Sequence, residues 1–177
     1  MKKYELTNET IKYANTKLFR IRALKDFGCV KAGDLGGYVE NENNLAQENN
    51  CWIYGNAIVF GNAWVYGDAW IFGNAIVFGK ASVSDNAIVY GNAKVYGDAR
   101  VFDDAEVYDN AKVFENAIVY GNASVYGDAR VSGVAWVYGN AKVYGNARVS
   151  ENARVSGNAS VYGDAKGIKG ERKWKKK

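Results

Sequence analysis

Residues 119–124 read Val-Tyr-Gly-Asn-Ala-Ser, and this six-residue unit recurs from Cys51 to Ala165 without an insertion or a deletion. Its aliphatic position holds Ile53, and Ile or Val follows at every sixth residue as far as Val161. Its small position holds Cys once and then Ala at every later sixth residue. A fixed short period of this kind indicates a repeat architecture in which each unit packs on its neighbours.

The unit itself predicts a short strand followed by a corner. Ala and Val alternate with outward residues, which is the period of two expected for a strand with one buried face. Gly followed by Asn or Asp favours a bend, because Gly accepts a positive φ and Asn or Asp tolerate the left-handed region. The sequence therefore predicts an all-β, triangular parallel solenoid with three units, or 18 residues, per coil, about six coils and a length of about 30 Å.

Two runs, Ile58–Ala63 and Val119–Ala123, resemble the hexapeptide repeats of left-handed parallel β-helix proteins. Residues 26–52 look like the N-terminal module of such proteins from phages, prophages and enteric bacteria. The resemblance implies a single-stranded left-handed β-helix. That handedness comes from the resemblance alone, because connections between parallel strands are generally right-handed.

The repeat divides the chain into three predicted segments. Residues 1–50 fall outside it and are expected to form a small β cap, because the first coil of a solenoid exposes unpaired strand edges. Within them, Tyr4–Leu6 and Leu18–Ala23 alternate like the two strands of a hairpin, separated by a polar stretch. Residues 51–165 form the solenoid, and residues 166–177 form a basic tail.

Composition sets the expected cellular context. No run approaches the ~18 apolar residues needed to cross a bilayer, and the first residues lack the apolar stretch of a signal peptide. We therefore expect a soluble protein in the cytoplasm of a bacterial cell. Cys51 occupies a small inward position and is predicted to be a buried free thiol, without a disulfide framework that includes Cys29.

The 177 residues contain no His. Many proteins of the family that the repeat resembles are acyl-CoA-dependent transferases with a catalytic His, and others bind zinc through three His. Neither chemistry can be carried over to this chain, and the outward Ser residues have no base to activate them. We expect no catalytic residue, cofactor or metal. A degenerate acyltransferase remains an alternative, and it requires acyl-CoA binding.

The outer positions of the first coil and a half are apolar on every face, which an exposed surface rarely tolerates. Either residues 1–50 fold back over them, or a second copy or a partner protein covers them. The leading hypothesis is a non-enzymatic solenoid scaffold of phage or prophage type that self-associates, binds a protein partner or occupies a host target. The contact residues predicted for it are Trp52, Phe60, Trp64, Trp70, Phe72, Ile76 and Phe78.

Residues 18 apart should lie above one another, so each outer face can be written out from the sequence. One face carries an unbroken aromatic column, which predicts ring stacking that stabilises the solenoid or, alternatively, a binding surface. Its members are Tyr54, Phe72, Tyr90, Tyr108, Tyr126, Tyr144 and Tyr162.

A second column turns from apolar to basic and continues into the tail. The net charge of +4 comes from the tail, which carries seven cations and one acidic residue, Glu171. The rest of the chain is slightly acidic. Stacked cations repel one another, so this face is either solvated and partly paired, for example Lys112 with Glu115, or it binds an anionic partner such as nucleic acid. The contacts predicted for that partner are Lys94, Lys112, Arg130, Arg148, Lys166, Lys173, Lys175 and Lys176.

Overall fold

The six-residue units form a parallel β-solenoid of about seven turns in the computed structural model, which describes residues 2–165. Equivalent strands of successive turns pair in parallel at an offset of 18 residues, as in the pairing of Trp52 with Trp70. The predicted all-β solenoid and its 18-residue turn are confirmed. The number of turns is about seven rather than about six. The left-handed sense stays an expectation from the resemblance.

Every solenoid strand is two residues long and joins one outward residue to one inward residue. In chain order the strands are Trp52–Ile53 (β4), Ile58–Val59 (β5), Trp64–Val65 (β6), Trp70–Ile71 (β7), Ile76–Val77 (β8), Ser82–Val83 (β9), Ile88–Val89 (β10), Lys94–Val95 (β11), Arg100–Val101 (β12), Glu106–Val107 (β13), Lys112–Val113 (β14), Ile118–Val119 (β15), Ser124–Val125 (β16), Arg130–Val131 (β17), Trp136–Val137 (β18), Lys142–Val143 (β19), Arg148–Val149 (β20), Arg154–Val155 (β21) and Ser160–Val161 (β22).

These strands form three sheets, one on each side of the coil. The first face consists of β4, β7, β10, β13, β16, β19 and β22, and the second face of β5, β8, β11, β14, β17 and β20. The third face consists of β6, β9, β12, β15, β18 and β21. At about 4.8 Å per strand, the first face is about 29 Å long from β4 to β22.

The small and aliphatic positions fill the interior. From Ala57 to Val155 these side chains are almost completely buried, and Ala159 and Val161 in the last described turn keep only 8% and 3% of their surface. One Ala and one branched side chain per unit therefore occupy the space between the sheets. A larger residue at the Ala position has no room in such a close-packed interior.

Most corners use the backbone freedom of Gly, while five described corners hold Asp or Glu at the same position with a positive φ. Gly121 has a φ of +69°, and a Cβ on it would lie 3.0 Å from the backbone nitrogen of Gly139 in the next turn. Within the described solenoid only the first of the two corner positions takes a positive φ, so the expected left-handed role of the following Asn or Asp is wrong. That second residue instead links successive turns, as in the hydrogen bond from Asn92 Nδ2 to Asn110 Oδ1 at 3.2 Å.

The N-terminal residues add an antiparallel hairpin to the second face. Strand β1 (Tyr4–Tyr13) pairs with β2 (Thr16–Ala23), β2 pairs with β3 (Leu35–Val39), and β3 runs parallel to β5. The predicted hairpin is confirmed. The polar residues that were expected to separate its strands lie inside β1 instead, where the register shifts between Leu6 and Thr10.

Parallel pairing begins before residue 51, in a first turn that is two residues longer than the others. Tyr38 pairs with Ile58, and Leu45 pairs with Val65, so the offset here is 20 residues. A 3-10 turn (Glu42–Asn44) places the Asn44 side chain inside this turn. Its Nδ2 donates hydrogen bonds to two backbone carbonyls of the next turn, both at 2.9 Å.

Candidate functional site

Trp52, predicted as a partner contact, lies in the core. It has no exposed surface. Its ring meets Tyr4 and Phe27 edge-on, at 6.1 Å and 5.3 Å between ring centroids. The prediction is wrong for this residue, because the N-terminal segment covers the start of the first face and leaves no surface for a partner to reach.

The N-terminal segment also covers the apolar start of the second face. Ile58 and Ile76 retain 7% and 8% of their surface. Tyr13 of the hairpin packs edge-on against Phe60 at 5.7 Å. Folding back of the N-terminal residues, one of the covers considered from the sequence, therefore accounts for this face. The full cluster consists of Leu18, Tyr38, Ile58 and Ile76, with Ile11, Tyr13, Phe60 and Phe78 packed against it.

Trp64 on the third face is the most exposed of the predicted partner contacts, at 48%. Its ring stacks on Tyr66 at 4.1 Å. It borders an open cleft of about 540 Å³ that Glu42, Asn43, Leu45, Ala46, Gln47 and Glu48 complete. Trp64 and Tyr66 therefore form an aromatic platform next to the carboxylates of Glu42 and Glu48. Its role as a partner contact stays a prediction.

The aromatic column of the first face is a continuous stack from Phe72 to Tyr162. Successive rings lie 4.8 to 5.3 Å apart between centroids, with planes within 16° of parallel. The ladder predicted from the 18-residue offset is thus confirmed, except at its first member. Tyr54 meets Trp70 edge-on at 5.8 Å instead of stacking on the next ring of the column.

Burial lowers the acidity of several tyrosines in this column. Burial raises the pKa of Tyr108 to about 12, and the neighbouring hydroxyls of Tyr90 and Tyr126 add to the shift. Burial likewise raises the pKa of Tyr90 and of Tyr126. The hydroxyls of Tyr90, Tyr108 and Tyr126 therefore stay protonated at physiological pH.

Two further aromatic columns were not predicted from the sequence. On the second face Phe60, Phe78, Tyr96 and Phe114 stack in sequence, and on the third face Phe102, Tyr120 and Tyr138 do so. The same 18-residue offset, applied to all three faces, reveals them. Both columns stop where Ser replaces the aromatic residue.

The four basic residues of the second face form one row, which we call the cation row: Lys94, Lys112, Arg130 and Arg148. They stand directly opposite one another on adjacent parallel strands. Within residues 2–165 none of the four side chains has an ion-pair or hydrogen-bond partner. The predicted pairing of Lys112 with Glu115 is wrong, because the Glu115 carboxylate accepts a hydrogen bond from the backbone N–H of Gly133. The predicted contacts Lys166, Lys173, Lys175 and Lys176 lie outside the described residues.

Neither cysteine forms a disulfide within the described residues. Cys51 is a buried free thiol, as predicted, and Cys29 is free and exposed. In the described part of the chain, no group of three or more His, Cys, Asp or Glu residues is placed to hold a metal ion. The same part has no helix with the length and apolar character of a membrane span.

Comparison with known families supports the repeat and little beyond it. Residues 53–67 and 141–155 match the family described as the YdcK beta solenoid repeat. Each matched segment is shorter than one turn, so the likeness concerns the repeat unit and not the whole chain. Among curated proteins, none matches the chain.

Proposed function

We propose that this protein is a non-enzymatic scaffold that binds nucleic acid along the cation row. One observation carries the proposal. Lys94, Lys112, Arg130 and Arg148 are aligned on adjacent strands, and no described side chain neutralises them. An external polyanion supplies the missing counter-charges.

The row works against the stability of the sheet that carries it. Like charges directly opposite each other on neighbouring strands destabilise a sheet. Outward strand positions on the other two faces hold Ile88 and Ile118, both only partly buried, so the solenoid accepts apolar residues outside the cover of the N-terminal hairpin. A role in binding therefore explains the four cations at these positions better than a role in folding does.

The solenoid gives the row a rigid geometry. Parallel strands hold the four cations at intervals of about 4.8 Å, so a partner meets them without ordering a flexible segment. When the cation row binds phosphates, bound counterions are released into solution. The affinity therefore falls steeply as the salt concentration rises. The seven cations of residues 166–177 add to the same attraction.

A salt titration tests the proposal. Binding of a labelled oligonucleotide is followed by fluorescence anisotropy between about 50 and 200 mM salt. The variant K94Q/K112Q/R130Q/R148Q should bind more weakly, and the slope of log K against log salt should fall by about 3. The matched control K12Q/K17Q/K25Q/K142Q removes four exposed lysines outside the row and should retain most of the slope. No binding by the natural chain at low salt, or equal loss in both variants, contradicts the proposal.

A protein partner at the Trp64 platform is the second candidate function. The observation in its favour is the 48% exposure of Trp64, in contrast to Trp52, which the N-terminal segment buries. Self-association is the most direct form of this hypothesis. Light scattering at low and high salt should then show a salt-independent dimer or trimer that Trp64→Ser converts to a monomer. A monomer at both salt concentrations contradicts self-association.

The assignment as a non-enzyme is part of the proposal. The chain has no His to act as the general base of an acyl transfer. The repeat also continues from Cys51 to Ala165 without a loop that could shape an active site. Saturable acyl-CoA binding in a titration would favour the degenerate acyltransferase instead.

A further inference from the structure

The aromatic column of the second face ends within the solenoid. From Phe60 to Phe114 its rings stack at centroid distances between 4.8 and 5.2 Å, with planes 7° apart. The next two positions of the column are Ser132 and Ser150. Tyr96 covers one face of the Phe114 ring, so the other face looks toward Ser132, where no ring follows. The two serines leave a gap in place of two aromatic rings.

Two cations of the row border this gap. Arg130 and Arg148 precede Ser132 and Ser150 by two residues, so each pair projects from the same side of the sheet. Neither guanidinium lies over an aromatic ring or within an ion pair among residues 2–165. The carboxylate of Glu115 is held by the backbone of the adjacent corner. The gap thus joins a bare ring face to two unpaired cations.

The breaks at Ser84 and Ser156 on the third face differ from this gap. Ser84 on the third face is 3% exposed, and its hydroxyl donates to Asp85 at 2.9 Å. Beside Ser156, the guanidinium of Arg154 lies over the ring of Trp136 at 4.7 Å. Among the described breaks, the gap on the second face therefore combines an open ring with available positive charge.

We propose that this gap binds one base of a single-stranded nucleic acid. The base stacks on Phe114 in place of the missing ring, and the phosphates on either side of it contact Arg130 and Arg148. Basic surfaces with aromatic platforms bind single strands in this way, because every base offers a π-face. This inference rests on the proposed function, since the cation row supplies the attraction and Phe114 supplies the base contact.

Two oligomers that differ only in their bases test the inference. Fluorescence anisotropy compares a labelled oligo(dT) of about ten nucleotides with an abasic oligomer of the same length. The natural chain should bind oligo(dT) about 5- to 100-fold more tightly. Phe114→Leu, which removes the platform, should abolish this ratio. This variant should retain abasic binding and its salt slope, and Phe102→Leu, the matched change on the third face, should leave the ratio intact.

The outcomes separate the base site from the wider proposal. Equal binding of the two oligomers to the natural chain overturns the base site, and the proposed function survives if that binding still requires the cation row. No binding of either oligomer overturns both. Tighter binding of an acidic tyrosine-containing peptide, lost in Phe114→Leu, would assign the gap to a protein ligand and overturn the nucleic-acid assignment.

Discussion

The ammonium group of Lys3 lies 3.2 Å from the sulfur of Cys51, and both side chains are buried where the N-terminal segment meets the first turns. The same ammonium donates to the carbonyls of Cys51 and Glu48 at 3.0 and 3.1 Å. Burial lowers the pKa of Lys3 against the opposing attraction of the thiol, and burial raises the pKa of Cys51 against the attraction of the ammonium. A buried cation with its hydrogen bonds satisfied ties the N-terminal segment to the solenoid.

Replacing Lys3 by Met should loosen that connection. The carbonyls of Glu48, Asn49 and Cys51 lose a donor, and unsatisfied buried groups destabilise a fold by about 1–3 kcal/mol. We expect a fall in the free energy of unfolding of that size, with faster amide hydrogen exchange in residues 2–50. Lys12→Met changes an exposed lysine and serves as the control. Equal exchange in the two variants would show that Lys3 does not hold the segment.

The narrow interior predicts a strong response to added volume. Ala123 has no exposed surface, so Ala123→Leu should lower the free energy of unfolding by about 1–3 kcal/mol or more, because overpacking displaces neighbouring side chains. Ser124→Leu places the same side chain on the outer surface and should change stability by less than about 0.5 kcal/mol. Chemical denaturation measures both. A tolerated Leu at position 123 would contradict the packing described for the interior.

Ring stacking should contribute measurably to stability. Tyr108 stacks on Tyr90 at 4.8 Å and on Tyr126 at 4.9 Å. Tyr108→Ala removes both ring pairs and should destabilise the chain by about 1–3 kcal/mol, since each pair contributes about 0.5–1.5 kcal/mol beyond area burial. Tyr108→Phe retains the ring and should lose little. Equal stability of the two variants would mean that the ladder does not support the fold.

The tyrosine ladder should make the protein sensitive to alkali. The pKa of Tyr108 is about 12 in the folded chain, against 10.0 for the free side chain. Between these values the unfolded state gives up the proton first, so it binds fewer protons and the free energy of unfolding falls as the pH rises. The contribution is fully present below pH 10 and is lost as the pH rises through 12. Thermal unfolding at stepped pH should show this decline, and Tyr108→Phe should make it shallower. An unchanged decline in that variant would place its origin elsewhere.

The regular part of the fold was predictable because its periodicity is local. The pattern within one unit predicts that Val119 and Ala123 point inward. The 18-residue offset then predicts that Tyr108 stacks on Tyr126. The fate of Trp52 was not predictable in this way. Its burial depends on Tyr4 and Phe27, which reach it through a hairpin whose path has no repeat to fix it.

The candidate site was likewise predictable only in part. The alignment of Lys94 with Lys112 followed from the offset, and the pairing across adjacent strands confirms it. The partners of the nearby acidic side chains could not be predicted from the offset, because a charged side chain at a corner has several partners within reach. Glu115 hydrogen bonds to the backbone of the next turn and leaves Lys112 without the predicted partner.

In our proposal the cation row serves a partner and works against the fold. The decisive measurement is the free energy of unfolding of K94Q/K112Q/R130Q/R148Q at low salt. Because opposed like charges destabilise neighbouring strands, we predict that this variant is more stable than the natural chain by about 1–2 kcal/mol, with a gain that shrinks as salt screens the repulsion. A variant that is less stable than the natural chain would show that the row supports the fold, and would contradict the account.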